Sequence, residues 1–120
     1  MDFPIVLEEN LFPMQAFFNA MPARSLISVL TAFCGGVGAG FNDAVCEFPD
    51  ELNEGETQFE GVRFYIFDEE LTVASSEFFD VLSKVCFIYI ERYPDMSEEV
   101  GDLLEKLAVR LRERDSSHPH

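Results

Sequence analysis

The alternating run at residues 59–67 limits the possible folds of this chain more than any other feature. Its inner residues form two sets that project from opposite faces of an extended strand: Val62, Phe64 and Ile66, and Arg63, Tyr65 and Phe67. Both sets are largely apolar, which is typical of a strand that lies inside a sheet and is covered on both faces. We therefore expect a β-sheet with this strand at a central position.

Two further strands are expected beside the central one. Residues 44–48 alternate between apolar and polar side chains and predict a short strand with a partly solvated face. Residues 68–70 are all acidic and predict a tight charged turn, after which residues 71–74 return as an antiparallel strand. The glycine-rich segment 35–40 precedes the strands and is interpreted as a flexible connector.

Apolar residues at helical spacing predict two helices before the strands. Asn10 is expected to cap the first helix, with Pro13 in its first turn. Pro22 opens the second helix, and Gly35 ends it. Each of these helices would carry its apolar residues on one side.

Two more helices are expected after the strands. Ser75 or Ser76 would cap the third helix, and Tyr93 would be the last residue of its buried stripe. Asp95, with Glu98 three residues later, predicts a capping box at the start of the fourth helix.

The predicted order of elements is helix, helix, three strands, helix, helix. Helices segregated around one antiparallel sheet define the α+β class, so we expect a small three-stranded or slightly larger sheet flanked by about four helices. The 120 residues suit a single domain over 1–120, with a flexible lead-in at 1–9 and a flexible tail at 115–120. Because 48% of the residues are hydrophobic, the chain can form a core without disulfides or metals.

The charge of the chain is strongly negative and unevenly distributed. The formal net charge is −15, and residues 42–70 alone hold ten acids and one base, for a net charge of −9. Such a field repels phosphate backbones and anionic lipid headgroups, so direct binding to nucleic acid or to a membrane is not expected. A basic partner is one interpretation of this charge, and solubility alone is the other.

The cysteine pattern and the short apolar runs indicate a soluble cytoplasmic protein. Cys34, Cys46 and Cys86 are odd in number, far apart and without a CxxC motif, which favours reduced thiols. The amino terminus lacks the basic and apolar segments of a signal peptide. The apolar runs are shorter than the roughly 20 residues that cross a bilayer.

No catalytic or metal-binding arrangement emerges from the residue spacing. The 23 acids include no carboxylate pair at a distinctive spacing, so acid–base catalysis is not expected. Asp50, Glu54 and Glu56 do not match the spacing of an EF-hand loop, and His118 and His120 lie in the tail. We therefore expect no enzymatic activity, no metal and no cofactor.

The acids instead suggest a surface for a basic protein partner. A nuclease cleft is basic because it holds phosphates, and an acidic protein can occupy it by placing carboxylates where phosphates would sit. The candidate contact residues are Glu47, Asp50, Glu51, Glu54, Glu56, Glu60, Asp68, Glu69 and Glu70. Tyr65 or Phe67 is a candidate aromatic anchor, although a sheet face covered by a helix is the favoured interpretation of both residues.

Several segments resemble the bacterial immunity proteins of contact-dependent growth inhibition systems, specifically those paired with ribonuclease toxins. The likeness lies in "NLFPMQAFFNAMP" (10–22), "EFPDELNEGETQFEGVRFYIFDEELTVASSEFFDVL" (47–82) and "IERYP" (90–94), and spans residues 10–95. It implies a cytoplasmic protein without catalytic activity or cofactor that binds a cognate basic ribonuclease toxin domain one-to-one and blocks its active site. The resemblance assigns no contact residues.

Three other functions stay open. An acidic nucleic-acid mimic that inhibits a DNA-binding protein would have the same charge. A small carboxylate- or calcium-dependent enzyme would use the acidic loop, and millimolar calcium would then raise its thermal stability. A structural subunit would need the charge only for solubility.

Overall fold

The chain folds as two helices, a sheet and two further helices. In this computed structural model, residues 5–49 and 60–117 are described, with side chains to residue 113. The α-helices in those ranges are α1 (Phe12–Ala20), α2 (Leu26–Cys34), α3 (Ser75–Arg92) and α4 (Ser97–Ser117). The strands are β1 (Ala39–Phe41), β2 (Ala44–Glu47), β3 (Val62–Ile66) and β4 (Glu69–Val73).

The strands form one antiparallel sheet in the order β1-β2-β3-β4. The α+β class is therefore confirmed, and β3 has the inner position that its two apolar sets predicted. The strand β1 begins inside the segment 35–40 that was interpreted as a flexible connector, so that interpretation is wrong for residues 39 and 40. Its middle residue, Gly40, pairs with Val45 on β2, which shows that tertiary pairing outweighs the poor strand propensity of glycine.

Two-residue loops join β1 to β2 and β3 to β4. Both loops lie at the same end of the sheet, because Ala44 at the start of β2 pairs with Ile66 at the end of β3. Each loop begins with a non-glycine residue in the left-handed region, Asn42 at φ 54° and Phe67 at φ 55°. This end of the sheet is called the hairpin end below.

The charged turn predicted at residues 68–70 is shifted in the structure. The loop consists of Phe67 and Asp68, and Glu69 and Glu70 are the first residues of β4. Their backbones continue the ladder opposite β3, so only Asp68 of the three acids belongs to the turn.

The helices lie on one side of the sheet and share one aromatic core with it. Phe17 of α1 and Phe78 of α3 contact Phe64 of β3 at ring-centroid distances of 5.6 and 6.0 Å. Phe33 of α2 contacts Phe78 at 5.5 Å, and α4 packs against α2 and α3. The apolar stripes that predicted the helices thus form the interior of the protein.

Two predicted N-caps lie within short 3₁₀ turns instead. Asn10 belongs to the turn Glu9–Leu11 that precedes α1, and Asp95 belongs to the turn Pro94–Met96 that precedes α4. In both places the chain tightens into a 3₁₀ turn before the helix, a common way to enter one. The predicted caps are therefore wrong by one or two residues.

The two ends of α3 also differ from the prediction. Ala74 holds the N-cap position, and Ser75 is the buried first residue of the helix. Tyr93 lies just past the helix and is 40% exposed, so it is not part of the buried stripe. Its ring packs against that of Tyr89, with the centroids 4.9 Å apart.

The segment before α1 is attached to that helix through two amide side chains. The backbone N–H of Ile5 donates to Asn19 Oδ1 at 2.8 Å, and Asn19 Nδ2 donates to the carbonyl of Ile5 at 3.0 Å. The backbone N–H of Leu7 donates to Gln15 Oε1 at 2.6 Å. These bonds hold residues 5–7 against α1, and Ile5 is buried in the core.

Within residues 5–49 and 60–117, no single helix is both long and apolar enough to cross a membrane. The segments Glu9–Ala20 and Ala23–Cys34 reach that length and composition only as a pair, and they are bent by 88°.

Candidate functional site

The face of the sheet that points away from the helices is partly exposed. Along β3, Val62 and Phe64 are buried beneath the helices, whereas Arg63 and Tyr65 between them are half-buried on the opposite face. The strand register places the following residues on this face, called the open face below: Val45, Glu47, Arg63, Tyr65, Glu70 and Thr72. None of the helices described above contacts the sheet from this side, so the expected cover by a helix is wrong.

Arg63 joins three strands across the open face. It donates a charged hydrogen bond to Glu47 Oε1 on β2, and its Nη1 lies 3.5 Å from Glu70 Oε1 on β4. Burial lowers the pKa of Arg63, but the hydrogen bond and charge of Glu47 and the charge of Glu70 outweigh burial and raise it overall. The guanidinium therefore stays charged and offsets part of the negative charge of two candidate contact acids.

The hairpin end carries an exposed aromatic side chain among acids. Phe67 is 77% exposed, although the sequence favoured a buried position for it. Asp68, Glu69 and Glu70 next to it are exposed as well. Together with Arg63 and Tyr65, these residues line a shallow depression of about 300 Å³.

Asp43 is a further acid at the hairpin end that the sequence analysis did not include among the candidates. It is exposed in the two-residue loop before β2. Since Ala44 pairs with Ile66, this loop lies beside the Phe67–Asp68 loop. The sequence feature that could have identified this loop is the pair Asn42-Asp43 between apolar residues, since both residue types are favoured in tight turns. The exposed acids Asp43, Asp68, Glu69 and Glu70 are called the acidic tip below.

The candidate acids that the structure describes do not all lie at one end of the sheet. Glu60 is exposed just before β3, at the end of the sheet opposite the acidic tip. The five residues of β3 put roughly 16 Å between these two ends. Asp50, Glu51, Glu54 and Glu56 lie outside the described residues. β2 ends and β3 begins at the end of the sheet where Glu60 lies.

Cys46 and Cys86 lie in the core, and Cys34 packs against it. All three are free thiols. Burial raises the pKa of Cys86 to about 12, so this thiol is not a nucleophile near neutral pH. Burial also raises the pKa of Cys34, while Lys106 and Arg110 oppose that effect; its Sγ donates to the carbonyl of Leu103 at 3.4 Å and joins α2 to α4.

No metal centre is formed by the residues that the structure describes. Among them, no group of three or more His, Cys, Asp or Glu side chains is placed to hold a metal ion. A second depression, of about 480 Å³, lies along α4 and mixes charges of both signs, with Asp102, Glu105 and Lys106 in its lining. Its mixed charge contrasts with the acidic surface at the hairpin end.

The exposed acids at the hairpin end and the half-buried ion pair behind them form a surface that suits contact with a basic protein. The family model described as CDI immunity protein matches residues 10–104, from the turn before α1 into α4. The chain therefore belongs to the CDI immunity protein family, which implies a cognate toxin as its partner. The match confirms the resemblance to immunity proteins of contact-dependent growth inhibition systems, and the ribonuclease type of the toxin stays a prediction. A comparison with curated proteins found no significant match.

Proposed function

We propose that this immunity protein neutralises a ribonuclease toxin domain by presenting its acidic sheet to the basic active site of the toxin. The observation that carries the proposal is the acidic tip, four exposed carboxylates at the hairpin end of the sheet. A ribonuclease must hold phosphates, so its cleft is positive where this surface is negative. The carboxylates would take the positions of phosphates and exclude RNA.

The distribution of charge supports fast and selective association. Complementary fields raise the association rate of two proteins, and they disfavour partners of like charge. The net charge of −15 on 120 residues supplies such a field, and more than half of it comes from residues 42–70. Nucleic acids and acidic proteins would be repelled by the same field.

The fold keeps part of this charge in a fixed geometry. Glu70 stands on the open face of β4, which is paired with β3 along its length, and Arg63 links β4 to β2. Acids on paired strands lose less conformational entropy on binding than acids on a free segment. The open face is therefore suited to recognition of one rigid partner.

The mechanism requires stoichiometric binding and no chemistry by the immunity protein. We propose a one-to-one complex in the cytoplasm, without catalytic activity and without a cofactor. The test is a titration of the toxin domain encoded next to this gene, with cleavage of a labelled RNA as the readout. Cleavage should fall linearly and end at one equivalent of immunity protein.

Two results would contradict the proposal. A toxin domain that does not cleave RNA would remove the ribonuclease class and leave the immunity role intact. A toxin that cleaves RNA at full rate while bound would show that the protein does not block the active site. A direct binding measurement with a fluorescently labelled immunity protein, made in the same samples, distinguishes a bound toxin that still cleaves RNA from a toxin that is not bound.

A further inference from the structure

Phe67 combines two features that are unfavourable in the free protein. Its ring is 77% exposed, so it gains little from burial. Its φ of 55° lies in the left-handed region, where a bulky side chain is an outlier. The fold itself does not require an aromatic residue there, because Asn42 holds the same position in the neighbouring loop at φ 54° and is a residue type that tolerates it.

The surroundings of Phe67 indicate what kind of surface would cover it. The ring lines the same depression as Tyr65 and Arg63 on the open face. The next three residues along the chain, Asp68, Glu69 and Glu70, are exposed carboxylates that line it too. An apolar ring beside a row of anions is complementary to a slot flanked by cations.

Clefts that bind single-stranded RNA have this complementary structure. They combine a positively charged groove for the backbone with slots in which bases stack. We propose that Phe67 is the aromatic anchor of the toxin complex and that its ring enters the slot that holds an RNA base, beside carboxylates in phosphate positions. This inference rests on the proposed ribonuclease function and adds to it the residue that mimics the base.

The first test compares affinities for the toxin domain by calorimetry. Phe67→Gly and Phe67→Asn remove the ring and suit the left-handed backbone, so both variants should fold with an unchanged or higher Tm. Phe87→Ala is the matched control, because Phe87 is 64% exposed on α3, away from the open face. Loss of an interface anchor corresponds to a loss of affinity of at least about 30-fold, and the control should stay within about twofold.

The second test asks whether Phe67 occupies a base-binding slot. Uncharged nucleosides at millimolar concentration are added as competitors while the affinity of the immunity protein for the toxin domain is measured. The four nucleosides lack phosphate and report only on the base-binding slot. At least one should weaken binding of the wild-type protein, and none should weaken binding of Phe67→Gly, which leaves the slot empty.

The outcomes separate this inference from the proposed function. If the wild-type protein binds and inhibits the toxin while Phe67→Gly and Phe67→Asn keep its affinity, the anchor is wrong and the function stands. If the ring matters but no nucleoside competes with the wild-type protein, the base slot is wrong. If the wild-type protein does not inhibit RNA cleavage, the proposed function and this inference both fail.

Discussion

Arg63 on β3 is ion-paired with Glu47 on β2, and both side chains are only 21% exposed. The pair joins the last residue of β2 to the second residue of β3. Because Arg63 also contacts Glu70 on β4, it links three strands and holds these two acids in fixed positions on the open face.

Removal of the guanidinium should destabilise the protein. In Arg63→Met, the carboxylate of Glu47 stays half-buried without its charged hydrogen bond, so we expect the free energy of unfolding to fall by about 1–3 kcal/mol. Glu70→Gln is the control, because Glu70 is 59% exposed and its pair with Arg63 is long, and its loss should be under about 1 kcal/mol. Urea denaturation measures both free energies of unfolding. Equal losses in the two variants would show that the hydrogen bond between Arg63 and Glu47 adds nothing to stability.

Gly61 should not tolerate a side chain. Its φ is 90°, and a Cβ would lie 2.0 Å from the carbonyl oxygen of Val73 on β4. Gly61→Ala should therefore lower the free energy of unfolding by well over about 1 kcal/mol. In Gly101→Ala, on α4, the new methyl group meets nothing within 4 Å, and the helix should gain about 0.5–1 kcal/mol. Thermal unfolding of the two variants should shift in opposite directions.

Stability should fall in alkaline solution because of Cys86. Its thiol has a pKa of about 12 in the folded protein and about 8.5 when unfolded, so between these values the unfolded state binds fewer protons. Over that range the free energy of unfolding should drop by up to about 1.4 kcal/mol per pH unit, while below pH 8 this contribution is fully present. Urea denaturation of the wild-type protein and Cys86→Ala at pH 8 and 10 isolates it. Identical pH dependence in the two proteins would contradict the prediction.

Charge reversals of equal size should show how much the acidic tip and the acids at residues 50–56 each contribute to the association rate with the toxin. Asp68→Lys with Glu69→Lys changes the acidic tip, and Glu51→Lys with Glu54→Lys changes the segment after β2. Each pair should lower the association rate with the toxin about tenfold or more, because it removes local steering. Unchanged affinity in either pair would remove that group from the interface.

A matched control for these pairs lies on α4. Asp102→Lys with Glu105→Lys alters the net charge by the same amount, and both residues are exposed beside a depression of mixed charge. Its effect on the association rate should be clearly smaller. An equal effect would mean that net charge, and not the position of the acids, governs association.

The helices and the inner strand could be predicted from the sequence because their signals are periodic. Apolar residues at helical spacing identified all four helices, and the alternation in β3 identified its inner position. The caps were less accurate, because a 3₁₀ turn and a first helical turn have the same local preferences around Asn10 and Asp95. The strand β1 was missed since glycine has no strand propensity and its pairing with β2 is tertiary.

The open face could not be predicted because local pattern does not show which faces the helices cover. Tyr65 and Phe67 are apolar, and a covered face was the natural expectation for them. The helices instead lie on the side of Phe64, which leaves Tyr65 half-buried and Phe67 exposed. Arg63 was the remaining signal: it is the one cation in residues 42–70, and a strand that is covered on both faces seldom contains an arginine.

The most direct test of the account is calorimetry of the immunity protein with its toxin domain at low and at physiological salt, with RNA cleavage followed in the same samples. We predict tight one-to-one binding that weakens as salt rises and abolishes cleavage. Tight binding that is indifferent to salt would contradict the electrostatic mechanism. The absence of binding at either salt concentration would contradict the central claim that this acidic sheet inhibits a ribonuclease.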